Sequence, residues 1–128
     1  MGKTIIHTFR APAAIGPYSQ AVAAGGFLFV SGQLPINPDD GRMAPDICAQ
    51  TRQVMDNLMA IISQAGAGAD DIVRTTIYLT DMNDFAEVNQ IYSSYFKTDF
   101  PARATVGINA LAREARVEID AVVALPCP

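Results

Sequence analysis

The sequence predicts an α+β domain built as one mixed six-stranded sheet with two helices packed on one of its faces. Three observations point to this. Segments of strand and helix periodicity follow one another in the order β, β, β, α, β, α, β, β. Each helical segment stands between two strands, so both are crossovers, and right-handed connections place them on the same side of the sheet. The strand residues on the other side mix aromatic with polar side chains, a face too apolar for water and too polar for a core.

Taken in order, Lys3 to Thr8 reads as a short strand. Ala11-Pro12-Ala13-Ala14-Ile15-Gly16-Pro17 cannot be helical with two prolines and a glycine, and is expected as a fixed loop closed by Tyr18, Ser19 and Gln20. Ala21–Ala24 and Phe27–Ser31 are strands around Gly25-Gly26, a pair that suits the positive φ of a primed hairpin turn. A second loop, Gly32 to Gly41, carries Pro35, Asn37 and Pro38. The first helix begins near Asp46, repeats Ile47, Thr51, Val54, Leu58, Ile61, Ile62 and Ala65 at spacings of three and four, and stops at Gly66. The strand Ile72–Leu79 alternates, with Val73, Thr75, Ile77 and Leu79 on one face. The second helix runs from about Asn83 to Phe96, with Asp81 or Asn83 able to cap it and Phe85, Val88, Tyr92, Tyr95 and Phe96 forming its apolar stripe.

The last two strands, Ala102–Ile108 and Ala115–Ala124, hold the residues with the most chemical promise. Alternation puts Ala104, Val106 and Ile108 on one face of the first and Arg103, Thr105 and Gly107 on the other; in the second, Val117, Ile119, Ala121 and Val123 oppose Arg116, Glu118, Asp120 and Val122. Arg103 and Glu118 are thus expected on the non-core faces of their strands. The uncovered face is expected to show Phe27, Phe29, Ile72, Tyr78 and Val122 beside Ser31, Thr105, Arg103 and Glu118, or the complementary set where a bulge shifts parity.

Composition sets further bounds. The 128 residues fit a single domain, 1–128. Half are hydrophobic and 17% charged, against about 25% charged in an average soluble domain. Such a surface implies that another copy of the chain covers part of it. A net charge of −4 and a pI near 4.7 argue against general nucleic-acid binding, which needs a basic footprint. Cys48 and Cys127 lack metal or redox spacing, and one histidine, His7, cannot form a ligand cluster, so no metal or organic cofactor is expected. No signal-peptide h-region and no membrane span are read, leaving a cytoplasmic location as the expectation.

Three strings make a family visible: Ala14-Ile15-Gly16-Pro17-Tyr18-Ser19-Gln20-Ala21; Val30-Ser31-Gly32-Gln33-Leu34-Pro35; and Phe100-Pro101-Ala102-Arg103-Ala104-Thr105-Val106 with Val117-Glu118-Ile119-Asp120-Ala121 behind it. They closely resemble the RidA (YjgF) family over nearly the whole chain. The resemblance implies a chorismate-mutase-like fold, a homotrimer with its sheets around a central barrel, and clefts between subunits. It also implies an activity, the hydrolysis of reactive 2-imino acids such as 2-iminobutyrate and 2-iminopropionate, and of their enamine tautomers, to 2-keto acids and ammonia. Arg103 then matches the arginine that holds the substrate carboxylate, and Glu118 the acid that positions water. Tyr18, Ser31, Gly32 and Asn89 match other positions lining the cleft. Thr105 stands where many members have cysteine, which puts any thiol contact in doubt and leaves a hydroxyl able to accept an iminium N–H.

Without the resemblance the plainer readings come first. Arg103 would be an ion-pair partner, Glu118 and Asp120 a solvated pair, Tyr18 a loop anchor, Ser31 a turn residue and Asn89 helix surface. Two other functions stay open: a non-catalytic module that binds 2-keto acids or related carboxylates, and RNA cleavage or translation inhibition, against which the acidic charge argues.

Overall fold

Strands β1 (Thr4–Ile6), β2 (Ala21–Ala24), β3 (Phe27–Gln33), β4 (Ile72–Leu79), β5 (Ala102–Gly107) and β6 (Val117–Ala124) form one sheet in the order β1-β2-β3-β6-β4-β5. Helices α1 (Ile47–Gln64) and α2 (Phe85–Ser93) complete a computed structural model that describes residues 2–127. The pair β4 and β5 is parallel and every other neighbouring pair antiparallel. Both helices are crossovers, as the segment order predicts: α1 links β3 to β4 across the intervening β6, and α2 links the adjacent β4 and β5.

Local chemistry explains the elements. Gly25 and Gly26 take φ of 61° and 84°, so a two-residue turn closes the β2–β3 hairpin with Ala24 opposite Phe27. Asp46 caps α1 by accepting from the backbone N–H of Cys48 and Ala49, and Gly66 (φ 83°) ends the segment where a side chain would be strained. Between these caps Val54, Met55, Leu58, Ile61 and Ile62 are fully buried, each stabilising by roughly 2 kcal/mol relative to exposure. The second helix starts two residues later than expected because Met82–Asp84 form a 3₁₀ turn capped by Asp81. It ends at Ser93 rather than Phe96, although the Phe96 ring still packs on Tyr92 at 5.0 Å. At the mouth of α2 the buried Asp84 receives Arg116 Nη2 at 2.9 and 3.0 Å, tying the helix start to the start of β6.

Two bulges change which side chains share a face. In β4 the register on β6 shifts between Ile72 and Arg74, so Ile72 joins the core and Val73 turns outward, 42% exposed. The expectation that Ile72 lies on the uncovered face, with Val73 opposite, is therefore corrected: the extra residue reverses the alternation at the strand's start. In β3 the register on β6 shifts between Val30 and Gln33, which leaves Ser31 and Gly32 together at the irregularity while Val30 and Gln33 are both buried.

The uncovered face carries a row of ladder partners, Ile5, Val22, Phe29 and Val122, next to Phe27. Phe27 and Phe29 are 43% and 49% exposed. Four adjoining strands therefore leave their apolar side chains without a covering layer in one protomer.

Candidate active site

Arg103 sits on β5, the edge strand. Parallel pairing places it beside Thr75 of β4, and Thr75 is buried against α2, its hydroxyl 2.7 Å from that of Tyr92. Arg103 and Thr105 therefore point to the helix side of the sheet, which corrects the expectation that they share the uncovered face with Glu118. Their partners explain the error: Ala104 and Val106, apolar enough to suggest a core, lie beside Thr76 and Tyr78 on the uncovered face, whereas the polar residues enter a gap that α2 leaves at the edge.

In that gap the guanidinium is held by one helix face. Arg103 Nη1 donates to Asn89 Oδ1 at 2.6 Å, and Cζ lies 5.2 Å from the Tyr92 ring centroid and 5.7 Å from that of Phe85. Residues 85, 89 and 92 are one and two helical turns apart, so α2 offers a hydrogen-bond acceptor between two aromatic surfaces. Burial raises the Tyr92 phenol above its ordinary value, countered by the Thr75 hydroxyl and the Arg103 charge, so the ring is neutral beneath the cation. No carboxylate pairs with Arg103 among the described residues. Most of its five N–H donors are left to an open cleft of about 580 Å³ that Phe100 and Pro101 also line. The Thr105 Oγ1 is buried with no hydrogen-bond partner among the described residues, an unmet polar group two residues along the same face.

Glu118 belongs to the other face, beside Tyr78 of β4. Its carboxylate lies over the backbone of Gly32, where a β-carbon would overlap Glu118 Oε2 and stand 2.8 Å from Cδ. Glycine at the β3 bulge thus leaves the carboxylate its place, and any side chain there would displace it. Burial first, and the Asp120 charge second, raise the Glu118 carboxyl above its usual range. Asp120 in turn accepts from the Tyr78 hydroxyl at 3.1 Å. Gly32 and Tyr18 together line a second cavity of about 480 Å³. Tyr18 is 53% exposed, and Ser31 Oγ donates to the Ser19 carbonyl at 2.6 Å, fixing the chain next to that tyrosine.

The expected site residues therefore fall into two groups in one protomer. Arg103, Asn89 and Thr105 gather on the helix side of the β5 edge; Tyr18, Ser31, Gly32 and Glu118 gather at the β3 bulge on the other side of the sheet. Since β4 lies between β5 and β6, Arg103 and Glu118 are also separated by two strand spacings, roughly 10 Å. Three residues that matter here are absent from the expected set. Phe85 and Tyr92 read in the sequence only as apolar stripe, although their spacing from Asn89 already puts all three on one helix face. Gln20, 2% exposed, holds the loop before Tyr18: its amide donates to the carbonyls of Thr8, Ala11 and Pro12 and accepts from the Thr8 N–H. A lone glutamine gives no pattern from which to find this.

Among the described residues there is no group of three or more His, Cys, Asp or Glu side chains able to hold a metal ion, and no helix is long and apolar enough to cross a membrane. Residues 8–125 match the family described as Endoribonuclease L-PSP. The chain is 46% identical over 125 residues to the 2-iminobutanoate/2-iminopropanoate deaminase of Escherichia coli K12, covering 95% of this chain and 97% of that protein. It superposes with a TM-score of 0.95 and 51% identity on a protein of unknown function of the conserved Rid family from Yersinia pestis, over 97% of this chain and all of that one. It superposes with a TM-score of 0.93 and 38% identity on Escherichia coli TdcF with bound serine, over 96% and 99% of the two chains. A sheet of this order, a glycine beneath a half-buried glutamate and an edge-strand arginine with no carboxylate partner among the described residues thus occur in a chain that belongs to the RidA/YjgF family, the Endoribonuclease L-PSP family.

Proposed function

We propose that the protein is a cytoplasmic, homotrimeric imine deaminase that hydrolyses 2-imino acids such as 2-iminobutyrate and 2-iminopropionate, and their enamine tautomers, to 2-keto acids and ammonia. Each site forms where the Arg103 cleft of one protomer meets the Glu118 face of another. The observation that carries this reading is a guanidinium held by Asn89 and two rings, with no anion paired to it among the described residues and an open cleft in front of it. The naming of the Escherichia coli relative and the serine bound by TdcF support a small amino-acid-like ligand. The uncovered apolar row through Phe29 and Val122 supports assembly with the Glu118 face inward.

An imino acid presents a carboxylate and an electrophilic C=N carbon. The planar fork of Arg103 grips both carboxylate oxygens and stays charged at any relevant pH. Glu118, raised in basicity by burial, takes a proton from the attacking water as its oxygen bonds to C2. It returns that proton to nitrogen and then takes the remaining hydroxyl proton as the C–N bond of the carbinolamine breaks, the keto C=O forms and ammonia leaves, carrying that proton away as ammonium. The negative Glu118 also favours the iminium over the imine, and the free Thr105 hydroxyl accepts one of its N–H bonds. Tyr18 closes the cleft from the Glu118 side. Every step uses protons and water alone.

The test generates 2-iminobutyrate in situ with threonine dehydratase and follows 2-oxobutyrate and ammonia. Faster release on adding the protein is expected. Saturable binding of 2-oxobutyrate with no faster release would replace this reading by a carboxylate-binding module.

A further inference from the structure

We propose that Tyr78 is a positioning residue for Glu118: its ring walls the glutamate on the β4 side and keeps the carboxylate over Gly32. This rests on the deaminase reading and deepens it by adding a residue that aims the group handling water.

Glu118 has a neighbouring strand on either side. Toward β3 it meets the backbone of Gly32, where no side chain intervenes. Toward β4 its ladder partner is Tyr78, and the β-carbons of such partners stand about 5 Å apart. The Tyr78 hydroxyl donates to Asp120 Oδ2 at 3.1 Å, although the ladder partner of Asp120 is Thr76. The side chain therefore starts opposite Glu118 and ends at Asp120, so its ring runs diagonally along β6 and flanks the glutamate. The room left to the carboxylate is on the glycine side, which is where it lies.

The hydroxyl holds the ring in this pose. Burial first, then the hydrogen bond to Asp120 and the charge of that carboxylate, raise the Tyr78 phenol above its ordinary value, so it remains a neutral donor. Asp120 thus acts twice, as a charge near Glu118 and as the anchor of the ring beside it. The other charged groups on neighbouring strand positions are Arg116 of β6, whose Nη2 is bound to Asp84, and Arg74 of β4, which pairs with Val122. Ser31 and Gly32 on the β3 side do not titrate. In the assembled site Arg103 of the next protomer adds a positive charge that changes at Tyr78 leave in place.

The test sets Tyr78→Val, a strand former without the ring, beside Tyr78→Phe, which keeps the ring and loses the hydroxyl. Tyr78→Leu takes the place of the valine variant if that does not assemble. Imine hydrolysis is followed against pH, and the Glu118 carboxyl is titrated directly by ¹³C NMR, its resonance assigned with Glu118→Gln. In Tyr78→Val kcat is expected to fall about tenfold with KM within about twofold of wild type. Opening the wall hydrates a half-buried carboxyl whose raised value is due first to burial, so the acid limb and the NMR midpoint both move down, by about half a pH unit or more. Tyr78→Phe is expected to keep kcat within about threefold, with the smaller midpoint shift of the two. A valine variant with wild-type kcat and an unmoved midpoint, or a phenylalanine variant impaired as severely, would overturn the role of the ring while imine hydrolysis stands. A midpoint that moves as expected in a protein whose wild type hydrolyses no imine supports the wall and overturns the deaminase reading alone.

Discussion

Arg103 and Glu118 lie on opposite faces of one sheet: Arg103 beside Thr75 under α2, Glu118 beside Tyr78 on the uncovered side. A single protomer cannot aim both at one small molecule. Any mechanism that uses both needs a second copy, and the predictions below separate the two halves.

Arg103→Ala is expected to lower kcat/KM about a thousandfold, equivalent to roughly 4 kcal/mol of transition-state stabilisation, with little change in melting temperature. Asn89→Ala leaves the cation in place without its 2.6 Å acceptor, so a smaller loss, about tenfold, is expected. Steady-state kinetics beside thermal melts decide it; equal losses in both variants, or a collapse of stability in Arg103→Ala, would make the arginine a structural element.

Gly32→Ala places a methyl where Glu118 Oε2 now lies. The carboxylate is the free end of a side chain and can swing away, so the protein is expected to fold while kcat falls about a hundredfold. Wild-type turnover would show that the position of this carboxylate is immaterial.

The pH dependence follows from the direction of the Glu118 shift. Its carboxyl is raised by burial and by Asp120, and the base form is the active one, so activity is retained above the raised value and lost as pH falls through it. The acid limb of kcat/KM is thus expected at a higher pH than an ordinary glutamate gives. Removing the second cause with Asp120→Asn lowers that value, moving the limb to lower pH; a limb that stays put or moves up would contradict the assignment. The same shift has a stability consequence. A carboxyl with a raised folded value is stabilising only in its protonated form, so stability is lost as pH rises from the unfolded to the folded value. Glu118→Gln is therefore expected to raise the melting temperature at neutral pH while abolishing turnover.

Arg116→Ala removes the partner of a carboxylate that is only 8% exposed. An uncompensated buried charge costs about 3 kcal/mol, so denaturation is expected to shift by that order, with kcat preserved at temperatures where the variant is folded. Loss of kcat in the folded variant would tie Asp84 to the site rather than to the start of α2.

Much of this architecture is legible in the residues because its signals are local. Asp46 and Gly66 bracket α1, the Gly25-Gly26 pair announces its hairpin, and alternation in β6 places Glu118 correctly, since β6 is a central strand whose own alternation is unbroken and the bulge beside Glu118 belongs to β3. The errors come from pairing, which is not local. Alternation in β5 separates Arg103 from Val106 but cannot say which face the helices cover; that depends on parallel pairing with β4. The extra residue at Ile72 and Val73 reverses parity with no glycine or proline to mark it. The role of Gly32 is likewise hidden, because the carboxylate that occupies the space of its missing side chain comes from Glu118, 86 positions along the chain.

The most direct measurement mixes two inactive variants. Arg103→Ala and Glu118→Gln are co-expressed with different tags, mixed oligomers are isolated, and imine hydrolysis is assayed. If each site takes its arginine from one protomer and its glutamate from the next, one of the three sites in every mixed trimer has both donors intact, so the isolated mixed trimers should show about a third of wild-type activity. Mixed oligomers as inactive as either parent would contradict a site shared between protomers.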